Sequence, residues 1–145
     1  MEARLAPKPD RGPFGAFDQG TLVGLVALGR ENMDQLAHKA LIWGKYVIPA
    51  ARGTGIGRAL LLEALQLARS VPSIRQVHLS VTAANAGAIG LYQSVGFTSF
   101  GLEPDALCVD GQFHDTVHMA LRLADRPASE GPAMPRISAD RAMMA

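Results

Sequence analysis

Apolar and polar residues follow two different periods along the middle of the chain, and the switches between them mark the elements. From Gln76 to Thr82 the period is two. Val77, Leu79 and Val81 point one way and His78, Ser80 and Thr82 the other, which predicts a strand with one buried face. From residue 56 to about residue 70 the period is helical. Ile56, Ala59, Leu60, Leu61, Ala64, Leu65, Leu67 and Ala68 make a broad apolar side, Arg58, Glu63, Gln66 and Arg69 a wet one, and Pro72 ends the run. Asn85 offers an N-cap to a short helix over residues 86–95, and Gly96 a stop after it. Residues 14–17 and 21–28 read as a hairpin around Asp18-Gln19-Gly20, and residues 40–48 as an apolar strand closed by Pro49. Residues 97–102 predict a further strand. Asp110-Gly111 is a two-residue hairpin signal between residues 106–109 and 112–123. On that last strand Val117, Met119, Leu121 and Leu123 share one face, and His114, Thr116, His118 and Ala120 the other. The predicted order is β-β-β-α-β-α-β-β, a mixed α/β class.

Both ends lack these periods. Residues 1–13 carry Pro7, Pro9 and Pro13, and from residue 124 onward Pro127, Gly131, Pro132 and Pro135 replace the alternation. The expectation is a flexible segment over 1–13, one domain over 14–123 and a disordered tail over 124–145. The 145 residues suit one domain, and 48% hydrophobic content against 19% charged supplies its core. Fourteen Lys and Arg against thirteen Asp and Glu leave a formal charge of +1, so bulk electrostatics give no reason to expect nucleic acid or an anionic membrane as partner. No apolar run approaches the roughly 18–20 residues of a membrane span, and the first residues lack a signal-peptide core, so a cytoplasmic protein is expected. Cys108 is the one cysteine, which excludes an internal disulfide and a cysteine zinc cluster; no metal is expected.

The candidate chemistry begins at Arg52-Gly53-Thr54-Gly55-Ile56-Gly57-Arg58, between a strand and a helix. Glycine lets backbone approach a ligand, and a helix N-terminus presents free N–H groups to an anion. With two flanking arginines, a phosphate or pyrophosphate site follows; a tight turn with packing glycines is the plainer reading. A nucleotide P-loop is disfavoured because no Lys-Ser or Lys-Thr pair follows, and a dinucleotide fold because the next strand ends without an acidic residue.

The run from Tyr46 to Leu61 resembles the acetyl-CoA signature of the GCN5-related N-acetyltransferase (GNAT) family, Q/R-x-x-G-x-G/A, filled here by Arg52, Gly55 and Gly57. A second family signature resembles residues 85–97, with Asn85, Leu91, Tyr92, Gly96 and Phe97 in order, and residues 107–119 look like the family's closing hairpin. The resemblance covers about residues 14–123. It implies a mixed, mostly antiparallel central sheet flanked by helices. The implied function is transfer of an acetyl group from acetyl-CoA, as co-substrate, to an amine acceptor of a small molecule or protein, by direct attack in a ternary complex.

The resemblance also implies roles. Tyr46, Val47 and Ile48 would edge the pantetheine gap, mostly through backbone groups, while their side chains are strand core. Arg52, Gly53, Thr54, Gly55, Ile56, Gly57 and Arg58 would cradle the pyrophosphate. Asn85 would stand near the pantetheine while capping its helix, and Tyr92 near the thioester sulfur, donating a proton to the departing thiolate. The general base is not legible: residues 40–47 hold no carboxylate, and Glu103 and His118 are the candidates, among other titratable residues including His38, His78, His114 and Asp115. Cys108 lacks a His–Asp setting and reads as a small strand residue. The family fold starts with a strand and one or two helices that wall the acceptor site, whereas about thirteen residues precede the first predicted hairpin. A non-catalytic CoA-binding or interaction module with an incomplete acceptor site is therefore the alternative. Loss of that cover would expose apolar surface and favour self-association as a homodimer.

Overall fold

The structure, a computed structural model, describes residues 2–4, 11–30 and 33–123. Among the described residues seven strands form one sheet: β1 (Glu2–Arg4), β2 (Gly12–Asp18), β3 (Thr21–Arg30), β4 (Lys39–Val47), β5 (Gln76–Thr82), β6 (Thr98–Val109) and β7 (Gln112–Arg122). Helix α1 (Ile56–Ser70) joins β4 to β5 and α2 (Ala86–Val95) joins β5 to β6. The spatial order is β1-β2-β3-β4-β5-β7-β6. Neighbours are antiparallel except β4 and β5, which run parallel because the α1 crossover returns the chain to the same end. This is the mixed, mostly antiparallel sheet flanked by helices that the sequence resemblance implies.

The two periods of the sequence meet in one core. Leu60, Leu61, Ala64, Leu65 and Ala68 of α1 are fully buried against the inward residues of the sheet, among them Val26, Leu28, Ala40, Val77 and Met119. Each fully buried leucine contributes about 1.5–3 kcal/mol. The opposite sheet face carries no helix among the described residues, and there Trp43 and Phe100 remain 63% and 61% exposed.

Three differences from the sequence expectation have physical causes. Glu2–Arg4 is a strand, pairing Glu2 with Ala16, Ala3 with Gly15 and Arg4 with Phe14. Three residues held by backbone pairing are too few to carry a period, and β2 likewise starts at Gly12, inside the segment expected to be flexible. The strands expected at 97–102 and 106–109 are halves of one bent strand, β6: Pro104, Asp105 and Ala106 together stand opposite Asp115 alone. Asp105 takes φ +50° there, and its N–H donates to Asp115 Oδ1 at 3.0 Å. The polar connection after β3 contains a 3-10 turn, Asp34–Leu36. The tail expected over 124–145, and residues 1 and 5–10 of the N-terminal segment, lie outside the described residues.

The feature that positions the site is the parallel joint. β4 and β5 pair only at Lys39–Gln76, Ala40–Val77 and Leu41–His78. Against β3, Ala27 faces Trp43 and Leu25 faces Tyr46, so Gly44 and Lys45 share the place opposite Val26. That extra residue is a β-bulge with Gly44 at φ +66°, and a bulge bends its strand and strengthens its twist. Beyond it β4 leaves β5, and the sheet opens.

A Cβ on Gly44 would meet nothing within 4 Å, so the backbone conformation is what resists substitution there. Gly44→Val is expected to cost about 1–2 kcal/mol, seen as a lower urea midpoint, while Gly44→Asn, tolerated in the left-handed region, loses less. Equal midpoints for valine and glycine would show that the bulge is not held by this φ.

Candidate active-site groove

The glycine segment leaves backbone N–H groups exposed at a helix start, an arrangement that can hold an anion. A 3-10 turn, Pro49–Ala51, hands over to Arg52, and Gly53 and Gly55 then take φ +79° and +85°. Neither would crowd a side chain, so the left-handed backbone is what selects glycine. Gly55 is the N-cap of α1 and provides no side-chain cap. The first helical hydrogen bond runs from Ala59 N–H to Gly55 O, which leaves the amides of Ile56, Gly57 and Arg58 without helical acceptors at the positive end of the helix dipole. A Cβ on Gly57 would project into the groove, 3.5 Å from Lys45 Nζ.

Two arginines flank these amides from different directions. Arg52 Nε donates to Val47 O at 2.9 Å, and its guanidinium lies 5.6 Å from the centre of the Tyr46 ring. Arg58 donates to Ser94 Oγ at 2.9 Å and so ties the first turn of α1 to α2. Thr54 Oγ donates to Ala51 O, closing the turn.

A groove of about 710 Å³ runs from this cradle to the start of α2; Arg52, Gly55, Gly57 and Arg58 line one end and Asn85 and Ala88 the other. It continues into the opening between β4 and β5, about 300 Å³, lined by Lys45, Leu79, Ser80, Asn85 and Tyr92 among others. Lys45, Asn85 and Ala88 border both spaces. On the outer face of the sheet the opening meets a cavity of about 420 Å³ bordered by Trp43, His78, Ser80, Phe100 and His118. Trp43, Gly44, Leu79 and Ser80 border both this cavity and the opening, so the two spaces adjoin where the strands part.

Of the residues singled out in the sequence, Tyr46, Val47, Arg52, Gly53, Gly55, Gly57, Arg58 and Asn85 border the groove. Tyr92 borders the opening beside it. Ile48 and Ile56 pack on the core instead, and the Thr54 hydroxyl is engaged within its turn. Asn85 is a cap: its Oδ1 accepts from the Ala88 N–H at 3.1 Å, which still leaves it at the mouth of the opening. Tyr92 is 6% exposed and packs edge-on to Phe97 at 5.9 Å, yet among the described residues nothing hydrogen-bonds its hydroxyl. Burial pushes that phenol above its usual range, so the proton stays on it at neutral pH.

Lys45 and Ser80 are polar lining residues to which the sequence pattern assigns no role. Lys45 places its Nζ 4.9 Å from the Tyr92 ring centre, and burial lowers its ammonium below the usual lysine range. A charged residue between Trp43 and Val47 and next to a glycine was the available signal of a bulge. The alternation along β5 places Ser80 on the outward face and marks it no further. Its hydroxyl lies 2.7 Å from His118 Nδ1, and His118 Nε2 lies 2.9 Å from Glu103 Oε1.

Residues 1–97 match the family model described as Acetyltransferase (GNAT) family. The N-alpha-acetyltransferase RimI of Mycobacterium tuberculosis is 40% identical over 100 residues, covering 68% of this chain and 60% of its own length. The mycothiol acetyltransferase of Thermobispora bispora is 41% identical over 96 residues, 63% of this chain and 32% of its own. This chain therefore spans between a third and three-fifths of the length of these two relatives. Among solved structures, an acetyltransferase from Salmonella typhimurium with its cofactor acetyl-CoA aligns with TM-score 0.72 at 25% identity, covering 81% of this chain and 68% of the other.

The lowered Lys45 ammonium carries a sign that can be measured. Its folded-state value lies below the 10.5 of the free side chain, so charging it opposes folding at neutral pH, and the penalty fades as pH rises towards 10.5. Lys45→Met is expected to raise the thermal midpoint at pH 7, with the gain shrinking as pH approaches 10.5. A midpoint lowered at pH 7 would mean that the contact with Tyr92 outweighs desolvation.

Proposed function

The chain belongs to the acetyltransferase (GNAT) family, and from that premise we propose that it transfers the acetyl group of acetyl-CoA to an amine acceptor by direct attack in a ternary complex. One observation carries this reading: a groove lined by free helix amides and arginines adjoins the opening between β4 and β5, which Tyr92 borders. The donor set fits the cofactor. The amides of Ile56, Gly57 and Arg58 with the Arg52 and Arg58 guanidiniums suit a pyrophosphate, and the opening between β4 and β5 suits a slender arm with amide groups. When bound, acetyl-CoA supplies an activated acyl group as a thioester.

The chain's own residues supply position, charge and a proton. The cradle fixes one end of the bound molecule, so the reacting end is held where the strands part, and this orientation replaces a bimolecular encounter. Backbone N–H groups of β4 left unpaired by β5 offer hydrogen bonds to negative charge developing on the acyl oxygen. Tyr92, unpartnered and protonated, donates its hydroxyl proton to the departing sulfur. The acceptor enters from the outer face, where Trp43, Phe100 and His118 stand.

The same reading includes a homodimer and a cytoplasmic setting. Leu107, Val109 and Phe113 on the β6–β7 hairpin are about half to two-thirds exposed, which favours a contact between two copies. The free, exposed Cys108 suits a reducing compartment.

Gly55→Val forces a β-branched residue to φ +85° in the cradle and is expected to abolish saturable heat on titration with acetyl-CoA. Tyr92→Phe is expected to lower kcat about 100-fold in a thiol-release assay while the acetyl-CoA Kd stays within twofold. Retained binding by the first variant, or an undiminished rate in the second, would remove the respective role. Analytical ultracentrifugation at micromolar concentration is expected to find a dimer; a monomer would remove the hairpin contact.

A further inference from the structure

We propose that Ser80, His118 and Glu103 form a proton relay serving an acceptor site on the outer face of the sheet, and that this site takes a primary amine with an apolar or aromatic flank. The proposal rests on the acetyl-transfer reading above.

The three residues come from three strands and face the same way. Ser80 of β5 pairs directly with His118 of β7, and Gly101 of β6 stands opposite His118 with Glu103 one outward step further on. Ser80 Oγ lies 2.7 Å from His118 Nδ1, and His118 Nε2 lies 2.9 Å from Glu103 Oε1. A carboxylate only accepts hydrogen bonds, so Nε2 carries the imidazole proton and Nδ1 is the acceptor. The Ser80 hydroxyl then donates to Nδ1, and its oxygen keeps its lone pairs for a donor in front of it. Ser80 borders the opening between β4 and β5, the outer cavity and a further recess of about 280 Å³ that it shares with Glu103 and His118. It is therefore placed where the acceptor nitrogen must arrive. Tyr92 borders the same opening from the helix side. The group that takes the amine proton and the group that protonates the sulfur reach one opening from opposite faces of the sheet.

The walls set the substrate class. Trp43 and Phe100 are both largely exposed and border the outer cavity, and Phe100 lies 5.3 Å from His78 and 6.1 Å from His118 between ring centres. Two aromatic rings beside His118, whose far side is held by Glu103 in the neighbouring recess, favour an amine carried on an apolar group. His78 donates Nε2–H to Gln76 Oε1 at 2.8 Å, and burial, then the charges of Lys39 and His38, hold it below the usual imidazole range, so a neutral ring completes that wall.

In the step, the neutral amine nitrogen forms a bond to the acetyl carbon. It passes one proton to Ser80 Oγ while the Ser80 hydroxyl proton moves to His118 Nδ1. The carbon–sulfur bond breaks, and the thiolate takes the Tyr92 proton. The imidazolium and the phenolate return to their starting states by proton exchange with water. The products are the N-acetylated amine and free CoA thiol. Glu103 is a positioning residue: it holds the tautomer and balances the imidazolium.

The test uses the full chain, acetyl-CoA, and 2-phenylethylamine and ethylamine as probe acceptors. Ser80→Ala and His118→Ala are each expected to lower kcat about 100-fold with acetyl-CoA Kd, read by calorimetry, unchanged. Added imidazole is expected to restore His118→Ala but not Ser80→Ala. Glu103→Gln is expected to lower kcat about 10-fold and leave KM in place. The KM for 2-phenylethylamine is expected at least tenfold below that for ethylamine, and Trp43→Ala is expected to erase the difference. Rates within twofold of wild type in both alanine variants, absence of imidazole rescue, or an acetyl group found on Ser80 by intact-mass analysis would overturn the relay. Equal KM values for the two amines would overturn the substrate class. A wild-type protein that binds acetyl-CoA yet releases no thiol to any amine overturns the transfer reading itself, and that result is visible before any variant is made.

Discussion

The site depends on three residue pairs. β4 and β5 hold each other at Lys39–Gln76, Ala40–Val77 and Leu41–His78 and nowhere further. A parallel pair that continued to Val47 would close the sheet, satisfy its amides internally and leave no opening. The bulge at Gly44 and Lys45 prevents this by adding one residue to β4 against β3. β3 thus keeps its hold on both arms of β4 while β5 follows β7 away. The groove, the opening and the outer cavity exist because one strand serves two incompatible neighbours.

The second constraint is a helix that begins without a side-chain cap. Gly55 opens α1 in the left-handed region and leaves its first amides to whatever stands in front of them. Asn85 opens α2 in the opposite manner, spending its carboxamide on the Ala88 N–H. The contrast separates the two helix starts by chemistry: one is satisfied from within, the other awaits an acceptor from outside. Both border the same groove.

Much of this was legible in the chain. The period-two run of β5 and the helical period of α1 each have enough residues for the pattern to stand out, and their observed bounds, Gln76–Thr82 and Ile56–Ser70, follow it. The glycine segment was legible because three glycines and two arginines between a strand and a helix have few uses. β1 was not legible, since three paired residues carry no period. The continuity of β6 was hidden by Pro104 and by Asp105 at φ +50°, which read as an ending and are in fact a bend. The closeness of Ser80, His118 and Glu103 depends on register between strands far apart in sequence, and no local pattern encodes it. Lys45 looked like an interruption of an apolar run; its depth in the groove follows from a bulge that one glycine only hints at.

The Arg58–Ser94 contact has a mechanical consequence. It joins the first turn of α1 to the helix that carries Tyr92, two residues before Ser94. In the proposed reading, a guanidinium drawn towards a bound diphosphate would pull on α2 and on the phenol it bears. Grip at one end of the cleft and aim at the other would then share one strut, and a substitution at Ser94 would reach both.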